Sequence, residues 1–298
     1  MANKVLIFDE TFLHRLESLA LVFRQASASR LQGERRSSRR GQSIEFSDFK
    51  PYTLGDDFRR IDWNAYARLE RLFIKLFVEE EDTILHLLLD NSSSMDWGAP
   101  NKLDYSKRAA AALGYIALVS LDRVAVSTPG CRDHGPNSAL PPLRNKGAAM
   151  QLFSFLQSVP CCPTQQDSLF WLGSYAEKNR TPGMIVLFSD LMSDDWFSSV
   201  SLLRKRGHDV SIIHILSPDE KAPEMEGDFR LVDSETKAEV ELTADFETLQ
   251  NYKTHLRDWQ EYWRLFCRER QILYIPVVTS MTLEDLLFAW LPKQGLIR

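Results

Sequence analysis

The chain has 298 residues, of which 44% are hydrophobic and 26% charged, and its formal net charge is −5. This length buries one large core, or one core with a smaller attachment, and the composition is that of an ordinary globular protein. The negative balance argues against general nucleic-acid binding, so no nucleic acid is expected as a partner.

Near the N-terminus Val5-Leu6-Ile7-Phe8 is apolar but is stopped by Asp9-Glu10, which does not read as a secretion signal. The longest low-polarity stretch, Ala109 to Leu121, is too short for a membrane span and is diluted by Gly114, Tyr115 and Ser120. A cytoplasmic protein without a membrane span is therefore expected. Cys131, Cys161, Cys162 and Cys267 form no C-x-x-C pair, and free buried thiols are expected of them.

Glu10 to Gln25 is predicted helical, because Phe12, Leu13, Leu16, Leu19 and Phe23 recur at helical spacing. Arg30, Arg35, Arg36, Arg39 and Arg40 then make a basic arm, read as solvated and paired with nearby acids; binding of phosphate or nucleic acid is the weaker reading. Residues 44 to 70 crowd aromatics, charges and turn residues without a single period. Gly55-Asp56-Asp57 reads as a turn with an Asp placed to cap the next element. Residues 1 to 80 are expected to pack against a neighbouring domain, because so many aromatics do not stay exposed.

From Leu72 strands and helices alternate. Strands are predicted at Leu72 to Phe77, Ile84 to Leu89, 123 to 127, 184 to 188 and 210 to 215, and helices near 104 to 121, 146 to 157, 168 to 179 and 196 to 206. That alternation predicts an α/β fold, a doubly wound and mainly parallel sheet with helices on both faces. An excursion over 217 to 270 interrupts it, with a hairpin at 229 to 242 and a long helix from Phe246 to Arg270. A strand over 272 to 278 and a helix over 282 to 291 close the chain, and the main domain is placed at 81 to 298.

One loop carries chemistry. The apolar run Ile84 to Leu89 ends in Asp90-Asn91-Ser92-Ser93-Ser94, and ligands of open α/β sheets bind beyond the carboxyl ends of strands. Asp90, Ser92 and Ser94 offer a carboxylate and two hydroxyls within a turn, part of the oxygen shell of about six ligands that Mg²⁺ requires. A second strand ends in Ser189-Asp190, and Thr164 lies in a loop between two helices. Met95 and Trp97, just after the first loop, are candidate anchors for a docked partner.

These residues resemble the metal-ion-dependent adhesion site of von Willebrand factor type A domains. The chain resembles more closely one subgroup, the domain-of-unknown-function 58 family, through Gly41-Gln42-Ser43-Ile44-Glu45-Phe46, Tyr52-Thr53-Leu54-Gly55-Asp56-Asp57-Phe58-Arg59-Arg60-Ile61-Asp62-Trp63 and Ala67-Arg68. The resemblance implies a von Willebrand factor type A or Rossmann-like fold. It implies Mg²⁺, or another divalent cation, on Asp90, Ser92, Ser94, Thr164 and Asp190, with Ser168 as the alternative to Thr164. It also implies a MoxR-type AAA ATPase as first candidate partner.

No P-loop and no G-x-S-x-G elbow is present, and the six histidines have no metal-ligand spacing, His86 and His214 lying inside strands. One Asp and several hydroxyls leave Mg²⁺ short of negative charge, so an acidic side chain of a protein partner is expected to complete the shell. An interaction module, not an enzyme, is the expectation. The alternative is a metal-dependent hydrolase or phosphatase using Asp90, although such phosphatases want a second carboxylate where this chain has Ser92.

Overall fold

The structure, a computed structural model, describes residues 8–22, 44–53, 58, 61–69, 71–79, 84–129, 139–162, 167–193, 195–224, 227–233 and 238–298. The basic arm, the Gly55-Asp56-Asp57 turn and Thr164 lie outside them. Contacts divide the chain into two compact units, residues 1–29 with 83–298, and residues 30–82.

In chain order the larger unit opens with helix α1 (Glu10–Leu16). The smaller unit holds strand β1 (Ile44–Pro51), helix α2 (Trp63–Leu69) and strand β2 (Phe73–Glu79). Its two strands pair antiparallel, from Ile44 opposite Glu79 to Pro51 opposite Phe73, with an irregularity between Phe46 and Asp48. Asp62 starts α2 by accepting from the backbone N–H of Asn64 (2.9 Å) and Ala65 (3.2 Å), which satisfies donors a helix start leaves unpaired. Strand β2 was legible; β1 and α2 were not, because residues 44–70 show no dominant period.

The larger unit continues through β3 (Ile84–Leu89), α3 (Lys102–Val119), β4 (Arg123–Ser127), β5 (Ala139–Arg144), α4 (Ala149–Ser158), α5 (Ser168–Lys178), β6 (Met184–Ser189), α6 (Trp196–Lys205), β7 (Asp209–Leu216) and α7 (Pro218–Lys221). The excursion comes next as β8 (Gly227–Val232), β9 (Glu239–Ala244) and α8 (Phe246–Glu269). Strand β10 (Leu273–Val278), α9 (Leu283–Asp285), a wider π turn (Leu286–Trp290) and α10 (Leu291–Gln294) end the chain. The single predicted helix at 282 to 291 is thus three short pieces.

Six strands form one sheet in the order β10-β7-β6-β3-β4-β5. Every neighbouring pair is parallel except β4 with β5. Residues alternate between two cores, as the twofold repeat of a strand requires. Leu85, Leu87 and Leu89 of β3 join Met184, Val186 and Phe188 of β6 under α1, α3, α4 and the C-terminal helices. Leu88, Ile185 and Leu187 face α5, α6 and α8. The sheet is therefore covered by helices on both faces, as expected.

Helix α3 lies close against the sheet through its alanine run and Gly114. A Cβ at Gly114 would stand 2.5 Å from Leu152 Cδ2 and 3.2 Å from Leu87 Cδ1. Strand β5 was not foreseen, because Pro141-Pro142 argues against a strand; at the edge of the sheet the missing N–H groups are tolerated. Among the described residues no helix is long and apolar enough to cross a membrane. Cys161 and Cys267 are free as expected, but Cys162 is disulfide-bonded, which corrects the expectation of free thiols there.

Candidate metal centre

From β3 the chain moves outward to β4 and β5 on one side of the sheet, then returns to lay β6, β7 and β10 on the other. The strand order reverses between β3 and β6, and in open α/β sheets ligands bind outside the carboxyl ends of the strands at such a reversal. Asp90 is the first residue beyond β3 and Asp190 the first beyond β6, each 1% exposed. The Asp90 N–H donates to Phe188 O at 2.9 Å, which ties the two strand ends together.

The loop turns sharply back on the Asp90 carboxylate. Its Oδ1 accepts from the Ser92 N–H (3.0 Å) and its Oδ2 from Ser189 Oγ (2.7 Å). Ser92 Oγ and Ser94 Oγ are 2.9 Å apart. The loop is held from behind by Asn91, whose Nδ2 donates to Pro160 O (2.9 Å) and whose carbonyl accepts from the Cys162 N–H (2.7 Å). The structure thus brings Asp90, Ser92 and Ser94 together, with Asp190 beside them.

Burial raises the Asp90 pKa above the ordinary carboxylate range, the negative charge of Asp190 raises it further, and the bonds from Ser189 and Ser92 oppose the rise. A bound cation would relieve both the burial and the repulsion. The available donors, a carboxylate and two hydroxyls, are hard oxygens that suit Mg²⁺ or a similar divalent cation. A carboxylate has about four lone-pair sites, so Asp90 retains capacity beyond its two hydrogen bonds. Among the described residues no three His, Cys, Asp or Glu side chains gather where they could hold a metal. An ion here would therefore have to rest on hydroxyls, one or two carboxylates, and water.

The remaining predicted residues divide. Ser168, the alternative to Thr164, starts α5 with its hydroxyl 3.1 Å from Ser199 Oγ. Met95 is a correction: it is fully buried in the core, because the turn after Ser94 folds it beneath the loop, and it offers nothing to a docked partner. Trp97 is 59% exposed. Met192, whose N–H donates to Asp190 Oδ1 (3.3 Å), and Phe170 near the start of α5 are exposed too, at this same end of the sheet. Neither was singled out in the sequence. His86 and His214 are buried in β3 and β7, and burial first of all lowers their pKa values, to about 3 and about 4. Each Nδ1 pairs with a tyrosine hydroxyl, of Tyr175 and Tyr274 respectively.

Sequence reasoning missed Lys102. It is fully buried, with Nζ 2.8 Å from Asp190 Oδ2 and 2.5 Å from Glu220 Oε1. Burial works against its charge, but the two carboxylates outweigh that and raise its pKa. A signal existed: Lys102 is the first residue of a helix, where the positive end of the macrodipole disfavours a cation. Glu220 was missed with α7, a four-residue helix too short to show a period.

The matched relatives carry no assigned activity. The chain is 24% identical over 245 residues to the uncharacterized proteins Mb1516 of Mycobacterium bovis and Rv1480 of Mycobacterium tuberculosis, covering 80% of this chain and 76% of each relative. Among solved structures it is similar to the conserved hypothetical protein BatB of Bacteroides thetaiotaomicron (14% identity, TM-score 0.43). It is also similar to an aerotolerance-related membrane protein of Bacteroides fragilis (15% identity, TM-score 0.45). Each alignment covers 72% of this chain and 98% of the other. The model of one family matches residues 48–262, which take in parts of both compact units and Asp90, Lys102, Asp190 and Glu220, and the chain belongs to that family, described as Protein of unknown function DUF58.

Proposed function

We propose that the chain is a von Willebrand factor type A-like interaction module, not an enzyme. In this reading a divalent cation, Mg²⁺ first, sits on Asp90, Ser92 and Ser94, with Asp190 and Thr164 completing the protein's share of the shell. A partner protein supplies an acidic side chain to the remaining position. The observation that carries the reading is the Asp90 turn: a buried carboxylate and two facing hydroxyls where the strand order reverses, with Trp97, Met192 and Phe170 exposed at the same end of the sheet. One metal bond cannot supply micromolar affinity, and exposed aromatic and methionine side chains are of the kind that supply the rest.

A hydrolase would need a base and a positioned water beside the ion. The nearest candidates are engaged: Asp190 holds Lys102, and His214 is bonded to Tyr274 and kept neutral by burial. A MoxR-type AAA ATPase is the first partner to try, with the cytoplasm as the meeting place. The disulfide at Cys162 is the observation against that compartment, because reducing compartments rarely keep one.

The test is binding of a purified MoxR-type ATPase, without nucleotide, in Mg²⁺ and in chelator, to the parent chain, Asp90→Ala and Trp97→Ala. The expected result is binding that chelator and Asp90→Ala abolish and that Trp97→Ala weakens by at least about 1 kcal/mol. Equal affinity with and without the ion places the partner on another surface.

A further inference from the structure

Lys102 occupies a position that is unfavourable on two counts. A buried ammonium is costly unless it is paired, and an apolar side chain of similar volume is often at least as stabilising as a buried ion pair. The start of α3 adds the positive end of a helix macrodipole. Yet Lys102 is held firmly, because both of its acceptors are anchored.

Asp190 is fixed by the end of β6, with Oδ1 accepting from the Met192 N–H and Oδ2 from Lys102. Glu220 belongs to a capping box: its Oε2 accepts from the Ser217 N–H (2.7 Å), and Ser217 Oγ accepts from the Glu220 N–H (3.2 Å). The Glu220 carbonyl in turn accepts from the Tyr252 hydroxyl of α8 (2.5 Å). One chain of contacts therefore runs from the candidate ion site through a buried cation to the excursion.

We propose that Lys102 is a positioning residue that serves as a resident counter-cation of the ion site, keeping Asp190 inside the protein and holding down the site's affinity for divalent cations. This rests on the proposed ion on Asp90. With Lys102 in place much of the charge of Asp190 is already offset, so of the two carboxylates around the ion only Asp90 presents an unopposed negative charge. It stays short of negative charge and demands an anion from outside, as a docking device requires. Glu220 draws part of Lys102 away from Asp190, so it acts in the opposite sense and strengthens the site.

Opposite signs make this testable. Mn²⁺ and Mg²⁺ are titrated calorimetrically into the parent chain, Lys102→Met and Glu220→Gln, with the fold of each checked by circular dichroism. Lys102→Met should tighten the dissociation constant at least about tenfold, and Glu220→Gln should loosen it at least about threefold, since charges this close act through a low effective dielectric. A purely structural Lys102 would lower thermal stability in both variants without moving affinity in opposite directions. If Lys102→Met does not fold, the loosening in Glu220→Gln decides. If the parent binds but affinity is unchanged or weaker in Lys102→Met, or fails to loosen in Glu220→Gln, the role of Lys102 is overturned and the ion site stands. If neither the parent nor Lys102→Met binds either cation, the ion reading itself falls.

Discussion

Asp90 is a carboxylate 1% exposed, with a second carboxylate at the next strand end. Both conditions oppose its ionised form, and the two hydrogen bonds from Ser92 and Ser189 only partly compensate. The proposed cation at Asp90 would relieve both conditions. Asp90→Asn keeps the shape and removes the charge, so in chelator it should melt above the parent. A lower melting temperature would show that the two hydrogen bonds outweigh the buried charge. The half of the site that depends on a local motif, Asp90 with Ser92 and Ser94, was legible in the sequence. Lys102 and Glu220 were not, because they are 118 residues apart and meet only once the sheet is wound. Met95 was misread because its burial depends on the direction the chain takes after Ser94.

Elements show the same division. Strands β3, β6 and β7 are apolar runs buried on both faces, and their sequence alone marks them as central. Helices α3, α5 and α6 follow from spacing. What escaped had a local pattern at odds with its tertiary setting: β5 contains two prolines, and α7 is four residues beginning at Pro218. Close approach between elements is invisible to periodicity, and Gly183 shows its importance. A Cβ there would meet Ile84 O at 2.6 Å and His86 Nε2 at 2.9 Å, and a strand carbonyl cannot swing aside. Gly183→Ala is expected to cost about 1–3 kcal/mol in denaturant unfolding. An unaltered midpoint would mean that the start of β6 shifts freely.

At the scale of the molecule, the buried histidines tie stability to pH. Folding lowers His86 to about 3 and His214 to about 4 from an ordinary value of 6.5. The unfolded chain therefore binds protons that the folded chain refuses, and stability, full above pH 6.5, falls as pH drops toward 4. At about pH 5 each histidine costs roughly 2 kcal/mol. Asp90 acts in the opposite sense, since its raised pKa lets the folded chain take a proton first, and it offsets part of the loss. Denaturant unfolding at pH 7 and pH 5 should show a net loss of about 2–3 kcal/mol. Equal stability at the two pH values would mean that these histidines are not held neutral.

The ion is tested most directly by the melting temperature of the parent chain and Asp90→Ala in chelator and in rising Mg²⁺. An ion that binds only the folded state stabilises it by about 1.4 kcal/mol at ten times its dissociation constant. For a chain of this size that raises the melting temperature by roughly 2–3 °C. The expected result is that rise in the parent chain and none in Asp90→Ala. A rise of the same size in both, or in neither, would contradict an ion held by Asp90, Ser92 and Ser94.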